Sequence, residues 1–418
     1  IVRKLGLHIC TGLPSGEYDV ILDAIFGIGL SREIAGEFAD AVNWINEQDA
    51  LRFAVDIPSG VNATTGEILA VAAAADFTIT FGTNKRGIVL FPGCNYAGTV
   101  IVSDIGFPKK AVEEIRPRAY TLTRQDAMEL MPPRILRSNK GSYGKVLVIA
   151  GSAEISGACY LCAAAAGRMG SGLVKVFTAA ENSTVIRTRL PEALVATYDS
   201  TLDYSQPENR LELSGRLQEE IKWASCIVIG PGIGTKEPAG ILLTEVLKEK
   251  NKAIVIDADG LNVLSGKDEY FVEREDGTRK LALSANVVLT PHLQEMTRLT
   301  RFELPLIRTR IVDQALLALE CANGQTLVLK DARTVVTDGG EVYINTTGNN
   351  ALSTGGTGDV LTGMIAGLLA QGMRPKRAAV LAVCLHGIAA DEYVRDRGGR
   401  YSMIASDLLD MLPQILPK

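Results

Sequence analysis

A disulfide or zinc framework is the first thing this sequence lacks. Its seven cysteines (Cys10, Cys94, Cys159, Cys162, Cys226, Cys321 and Cys384) are odd in number and scattered, and no second pair completes a metal site with Cys159 and Cys162. That C-x-x-C lies in GACYLCAAAAG, an alanine-rich helical pattern without redox flanks, and is read as core packing. The usage fits a reduced, cytoplasmic protein. No basic run is present either: 43 Lys and Arg stand against 48 Asp and Glu, for a net charge of -5. Nucleic acid and anionic membrane are therefore not expected as partners. The longer apolar stretches are cut by Asp76 and Arg168, short of the ~18 residues a membrane span needs, and no signal peptide is read. A P-loop, G-x-x-x-x-G-K-[ST], is absent, and GIGLSR at 27–32 starts like a dinucleotide fingerprint but lacks its third glycine.

What is present fits a globular α/β protein. At 418 residues, with 47% hydrophobic and 22% charged, the chain is long enough for full cores, and the length prior gives roughly two to three domains. Short apolar runs recur, each ending in Gly, Asp, Pro or Ser and followed by a helical pattern: DVILDAIFG, FAVDIPSG, DFTITFG, KVLVIAGS, CIVIGPGIG, AIVIDADG, VVLTPH and TLVLK. Continuous apolar strands of this kind predict parallel sheets covered by helices, with ligands beyond the carboxyl ends of the strands. TLVLKDARTVVTDGGEVYIN adds strands around an Asp-Gly-Gly turn, so the larger sheet is predicted to be mixed. A charged, proline-bearing seam at 107–140 reads as a linker and a lead-in helix, dividing the chain into domains 1–115 and 116–418. The first residue is Ile1 and the pattern starts in mid-flow, as in a domain lacking its beginning.

The strongest chemical signal is GNNALSTGGTGDVLTG at 348–363. Its glycines let backbone approach a ligand closely, and the helix that follows presents free amides and the positive end of its dipole, together a cradle for phosphate. Asp359, in the first turn, can be a helix cap, a general base for a hydroxyl attacking phosphorus, or both. Other signals follow strands: GSYGKVLVIAGSAEISGA at 141–158, VIGPGIGT at 228–235, DADGLN at 257–262, LTPHLQEM with His292, and LKDART with Lys330. Asp257 and Asp259 either bind a metal or end a strand. Lys330 either meets a phosphate or is simply solvated.

Taken in order, GSYGKVLVIAGS, PGIG, DADGLN, LTPH, LKDART, GNNALSTGGTGDVLTGMIAGLLAQG and CLHGIAAD resemble the ADP/ATP-dependent NAD(P)H-hydrate dehydratases, whose fold is that of ribokinase. The preceding part, through DAIFGIGLSREIAGEF, VDIPSGVNATTG and TFGTNKRGIVLFPG, resembles the C-terminal half of the NAD(P)H-hydrate epimerases. The resemblance implies a ribokinase-like, mostly parallel sheet behind a partial Rossmann-like α/β domain. It also implies repair of hydrated NADH and NADPH with ADP (or ATP) and Mg2+, cytoplasmic location, and a homo-oligomer of four or more subunits.

Position by position, the resemblance implies Asp359 as catalytic base. Nucleotide contacts would come from Lys330, Asp331, Ala332, Arg333 and Thr334 and from the amides of Gly355, Gly356, Thr357 and Gly358. The hydrate would lie near Cys159, Gly232, His292 and Asp359. In the epimerase-like part, Gly27, Ile28, Gly29, Leu30, Ser31, Arg32 and Glu33 would wrap the hydrate's phosphates. Asp56 would meet its ring or ribose, and Asp23 and Ser59 would help hold K+. The epimerase signature G-N-N-G-G-D-G has no counterpart before residue 115, so that site is expected to be incomplete. Two other readings stay open: a ribokinase-like kinase for a sugar or vitamin alcohol, and a nucleotide sensor without turnover.

Overall fold

The computed structural model describes residues 2–6, 8–115, 117–320 and 324–417. Ile1 and Cys321 lie outside the described residues, as does residue 116 in the seam. Two compact units emerge, 1–117 and 118–418.

In the first unit, β1 (Val20–Asp23), β2 (Leu51–Val55), β3 (Phe77–Phe81) and β4 (Thr99–Ser103) form a parallel sheet in that order. The Glu37–Glu47 helix crosses from β1 to β2, packing Val42 and Ile45 with Ile21 and Ala73. The expectation that every strand leads into a helix fails here. Residues 56–76 between β2 and β3 hold a single bridge, Val61 to Ile68. The loop folds tightly on itself: Gly60 has φ 94, and a Cβ there would come within 1.9 Å of the Val71 carbonyl oxygen. Ile57, Val61, Ala72, Ile88 and Ala97 form its own small core, and this folded loop carries Asp56 and Ser59 at the strand end.

The second unit is built on ten strands in the order β5-β16-β15-β14-β13-β10-β9-β6-β7-β8. These are β5 (Ala119–Tyr120), β6 (Lys145–Ile149), β7 (Leu173–Ala179), β8 (Leu194–Tyr198), β9 (Cys226–Ile229), β10 (Ala253–Ile256), β13 (Val287–Leu289), β14 (Thr326–Leu329), β15 (Val335–Thr337) and β16 (Val342–Ile344). A separate hairpin pairs β11 (Phe271–Glu273) with β12 (Arg279–Leu281). Pairing is parallel except where β15 runs against β14 and β16, so the sheet is mixed as its Asp-Gly-Gly turn predicts. Strands covered on both faces need apolar side chains throughout, and Cys226, Ile227, Val228 and Ile229 in β9 are all fully buried.

One helix, Thr357–Ala370, packs on β6, β9 and β10 and is flanked by the Gly157–Arg168 and Pro375–Arg397 helices. Its Gly363 lies so close to the Gly157–Arg168 helix that a Cβ would fall 2.1 Å from the Cys162 carbonyl oxygen. Ala163, Ala165 and Ala166 are buried with Cys159 and Cys162. The C-x-x-C is core packing, as its alanine-rich surroundings indicate. Among the described residues no helix is long and apolar enough to cross a membrane.

Candidate active site

Three neighbouring strands, β10, β13 and β14, end in Asp257, Thr290-Pro-His292 and Lys330. Because the strands are adjacent and parallel, these polar residues meet on one edge. Asp257 is 1% exposed. Its Oδ1 accepts from Lys330 Nζ at 2.8 Å and Thr290 Oγ1 at 2.7 Å, and its Oδ2 from Thr362 Oγ1 at 2.7 Å. Lys330 in turn donates its backbone N–H to Pro291 O at 2.8 Å, next to a bridge pairing His292 with Lys330. Burial lowers the basicity of the Lys330 ammonium, but the charges of Asp257 and Glu295 overcome it and raise the pKa.

His292 is the N-cap of the Leu293–Thr300 helix. Its Nδ1 accepts the amides of Gln294 and Glu295 at 3.1 and 3.2 Å, while Glu295 Oε2 accepts the His292 N–H at 2.8 Å. An Nδ1 that accepts leaves the neutral imidazole proton on Nε2, 3.4 Å from Glu295 Oε1. Burial first, then the Lys330 charge, depresses the His292 pKa. Half of the ring is still exposed, so capping leaves it free to meet a ligand. Burial raises the Glu295 carboxyl to about 7.

Asp359 sits in the first turn of Thr357–Ala370 without capping it; the N-cap is Gly356, at φ 91, with no side-chain bond. Of the two roles open to it in the sequence, which do not exclude each other, the cap is thus not the one it plays. Thr357 Oγ1 folds back onto the carbonyls of Leu352 and Thr354 at 3.0 and 3.1 Å, which fixes the glycine loop against the helix. Asp359 is partly buried, and burial, followed by the charge of Asp257, raises its pKa to about 7 against the opposing pull of Lys330. A base titrating near neutrality is matched to proton abstraction at working pH. Gly358 faces Lys330, whose Nζ would lie 3.4 Å from a Cβ placed there. Free first-turn amides, an ammonium and a basic carboxylate thus converge, an arrangement suited to holding phosphoryl charge while a hydroxyl is deprotonated.

The other sequence-predicted residues fall around this centre with one exception. Asp331, Ala332, Arg333 and Thr334 form the loop from β14 to β15, where Thr334 Oγ1 donates to Asp331 O at 3.2 Å and Arg333 to Thr346 O at 3.3 Å. Gly232, at φ 63, packs against Ile155 and Ala158. Gly234 N–H donates to Asp259 Oδ2 at 2.9 Å, so Asp259 anchors the PGIG loop. The exception is Cys159. It is fully buried, its thiol bonded to Ser156 O at 2.9 Å and raised to about 11 by burial. Close packing of its helix on Thr357–Ala370 turns the side chain inward, so Cys159 stands behind the site wall and offers a ligand no surface.

Asp257, Thr290, Thr362 and Glu295 belong to this cluster, although the sequence reading gave Asp257 only as a strand end or metal ligand and passed over the others. Two signals were available: H-x-x-E is the spacing of a reciprocal cap, and Thr362 lies one helical turn beyond Asp359. A cavity of about 450 Å³ lined by Ser152, Tyr198, Ile233 and Gly234 adjoins the PGIG loop. Another, of about 670 Å³ beside Tyr160, Arg189 and Asp410, shares no residue with the centre.

In the first unit, Asp23 and Ser59 do meet. Ser59 donates its N–H and O–H to the Asp23 carboxylate at 2.7 and 2.6 Å and accepts the Phe26 N–H at 2.9 Å. The exposed 27–33 loop follows directly, turned by Leu30 N–H to Gly27 O at 3.2 Å. Asp56 takes a left-handed backbone, φ 70, unusual for a residue with a Cβ. Its carboxylate is paired with Lys85 and accepts the Phe81 N–H at 3.0 Å. Burial opposes ionisation of Asp56, but Lys85 and Phe81 outweigh it and lower the pKa. Lys85 is a further polar member of this site that the sequence reading did not single out.

A mostly parallel sheet with a glycine cradle at the start of a buried helix, a carboxylate and a strand-end ammonium is a ribokinase-like architecture built around an anion-binding centre. Solved structures agree. A ribokinase-like superfamily protein of Enterococcus faecalis superposes with TM-score 0.60 at 28% identity, covering 71% of this chain and 94% of that one. The ADP/ATP-dependent NAD(P)H-hydrate dehydratase of Bacillus subtilis, co-crystallised with ATP/Mg2+, superposes with TM-score 0.58 at 30% identity, covering 71% and 96%. The family described as NAD(P)H-hydrate dehydratase matches residues 146–414, and that described as YjeF-related protein N-terminus matches residues 2–87. The chain belongs to the NAD(P)H-hydrate dehydratase family and carries a YjeF-related unit before it. It is 36% identical over 404 residues to the bifunctional NAD(P)H-hydrate repair enzyme Nnr of Thermofilum pendens, covering 96% of this chain and 73% of the relative. With the enzyme of the same name from Moorella thermoacetica the identity is 37% over 402 residues, covering 95% and 73%.

Proposed function

We propose that the second unit repairs hydrated NADH or NADPH by an ADP-dependent dehydration, using Asp359 as base. The observation that carries this reading is the Asp359 carboxylate itself, uncapped, partly buried and held near neutral pKa beside Lys330 and the glycine cradle. Hydroxide is a poor leaving group and phosphate a good one. Asp359 takes the proton from the ring hydroxyl as its oxygen attacks the terminal phosphoryl group, and the 355–358 amides with Lys330 hold the charge that develops. Phosphate then leaves with that oxygen, pushed by the ring nitrogen, and a proton lost from the adjacent carbon restores the dihydronicotinamide. The products are NAD(P)H, AMP and phosphate. Mg2+ would be carried on the nucleotide's phosphates, where it would neutralise their charge.

The test is an assay of the purified chain with (S)-NADH hydrate, Mg2+ and either ADP or ATP. The near-ultraviolet absorbance of reduced nicotinamide should return, with one phosphate released per hydrate consumed. No return with either nucleotide, together with phosphorylation of a sugar or vitamin alcohol, would show a kinase instead.

For the first unit we infer a K+ site at Asp23 and Ser59, with Asp56 and Lys85 facing the substrate of an epimerase-type reaction. The Asp23 carboxylate is 2% exposed and has no ion-pair partner among the described residues; its neighbours are hard oxygens, Ser59 Oγ and Phe26 O, which suit such a cation. Moving from N-methylglucamine to potassium buffer should raise the first unit's thermal midpoint by a few degrees, about 1 kcal/mol of linkage. Asp23→Asn should remove the increment. Equal midpoints in the two buffers would dispose of the site.

A further inference from the structure

We infer that Asp257 is the positioning residue of this centre, its buried carboxylate fixing the Lys330 ammonium against the first turn of the helix that carries Asp359. The inference rests on the reading of Asp359 as base. Asp257 cannot itself touch a ligand: it is 1% exposed and both oxygens are occupied by Lys330, Thr290 and Thr362. Those partners come from the ends of β14 and β13 and from the Thr357–Ala370 helix, so one carboxylate ties three separate elements together. An ammonium on four rotatable bonds has no fixed position without such an anchor. The anchored Nζ lies beside Gly358, where phosphoryl charge is expected.

The backbone around Asp257 is committed to this geometry. Ala258 holds φ 48 and ψ −121, a conformation that side chains rarely adopt. Gly230 packs so tightly that a Cβ there would meet Asp257 O at 1.8 Å. The strained turn sends Asp257 inward to Lys330 and Asp259 outward to the Gly234 amide.

Asp257 also sets the electrostatics of the base. The charges that act on Asp359 are Asp257 and Asp259 from the turn after β10, Lys330 at the end of β14 and Glu295 from the Leu293–Thr300 helix, which His292 caps, and it acts in turn on Cys159 and Cys162 of Gly157–Arg168. His386 of Pro375–Arg397 reaches the same turn, with Nε2 3.0 Å from Thr357 O. Among these groups Asp257 is the charge that most raises the Asp359 pKa after burial, and it raises Glu295 as well. Neutralising it therefore lowers both carboxyls, in the same direction.

The test uses Asp257→Asn and Thr362→Val in the full chain. Asp257→Asn keeps the shape and removes the charge. It should reduce kcat about 10²-fold with the KM for hydrate nearly unchanged, weaken ADP binding by calorimetry about tenfold, and move the acid limb of kcat/KM down by about one pH unit. Thr362→Val removes one bond and no charge, and should reduce kcat about fivefold with the limb in place. A loss of stability in Asp257→Asn with an unmoved limb and unchanged ADP affinity would reduce Asp257 to a structural role. Should Asp257→Asn fail to fold, full activity in Thr362→Val would overturn the inference. If the wild type phosphorylates an alcohol and does not dehydrate the hydrate, the functional reading falls, while the limb shift is measured on that alcohol.

Discussion

Asp359→Asn should cut kcat for hydrate dehydration by about 10³-fold while leaving ADP affinity within a few-fold, because it removes a proton acceptor and no nucleotide contact. The wild-type pH profile should carry an acid limb near neutrality. Burial, with the charge of Asp257, holds Asp359 at about 7, which sets the position of that limb. The same shift has a stability consequence of opposite benefit. With its folded pKa raised from the ordinary carboxylate value of about 4 to about 7, the folded state binds the extra proton between about 4 and 7, so stability declines as pH rises through that window. Asp359→Asn escapes this penalty and should be the more stable protein at pH 8, by on the order of 1–3 kcal/mol. A mutant that loses activity by misfolding would instead melt earlier than wild type, and a sensor without turnover would show no rate to lose.

The strand ends of this chain are written in its sequence, and its site residues only partly. VIDADG, VVLTPH and TLVLK each end an apolar run in a polar residue, and the parallel sheet sets their ends side by side. What no local pattern records is which polar residue faces which. Asp257 and Lys330 are 73 positions apart, Asp257 and Thr362 are 105 apart, and their meeting depends on the strand order. The sequence shows His292 as a residue after a proline, but its cap is visible only when Glu295 is seen to answer it. Cys159 was placed near the hydrate by family resemblance alone; it lies inside the Gly157–Arg168 helix and is fully buried. Strands β7 and β8 mix polar with apolar residues, and β8 lies at the sheet edge, so neither stood out as an apolar run. In the first unit, helix-free residues 56–76 gave no warning beyond a Pro-Ser-Gly turn, because their compactness comes from close backbone approach at Gly60 and a small core shared with distant Ile88 and Ala97.

Gly363→Val should be severely damaging although it lies away from the chemistry. Gly363 and Gly367 lie one turn apart on the face of Thr357–Ala370 turned to Gly157–Arg168, and Cβ atoms there would fall 2.1 Å from Cys162 O and 2.7 Å from Ala166 O. Both obstacles are backbone of a buried helix, so a rotamer change cannot relieve them and the helices must separate. Overpacking of this kind costs about 3 kcal/mol or more, a large part of a domain's net stability. Thermal midpoint and soluble yield should both fall. Gly240→Ala is the counterpart: it lies in the Glu237–Leu247 helix with nothing within 4 Å of an added Cβ, and should raise stability by about 0.5–1 kcal/mol. If the two substitutions behave alike, glycine in these helices is a matter of propensity and the close approach has no energetic meaning. If Gly363→Ala, the milder intrusion, folds but loses kcat while binding ADP normally, the close approach also places Asp359. The helix that carries the base is held by the same contact, so the displacement a Cβ forces at Gly363 would be passed one turn along to the carboxylate.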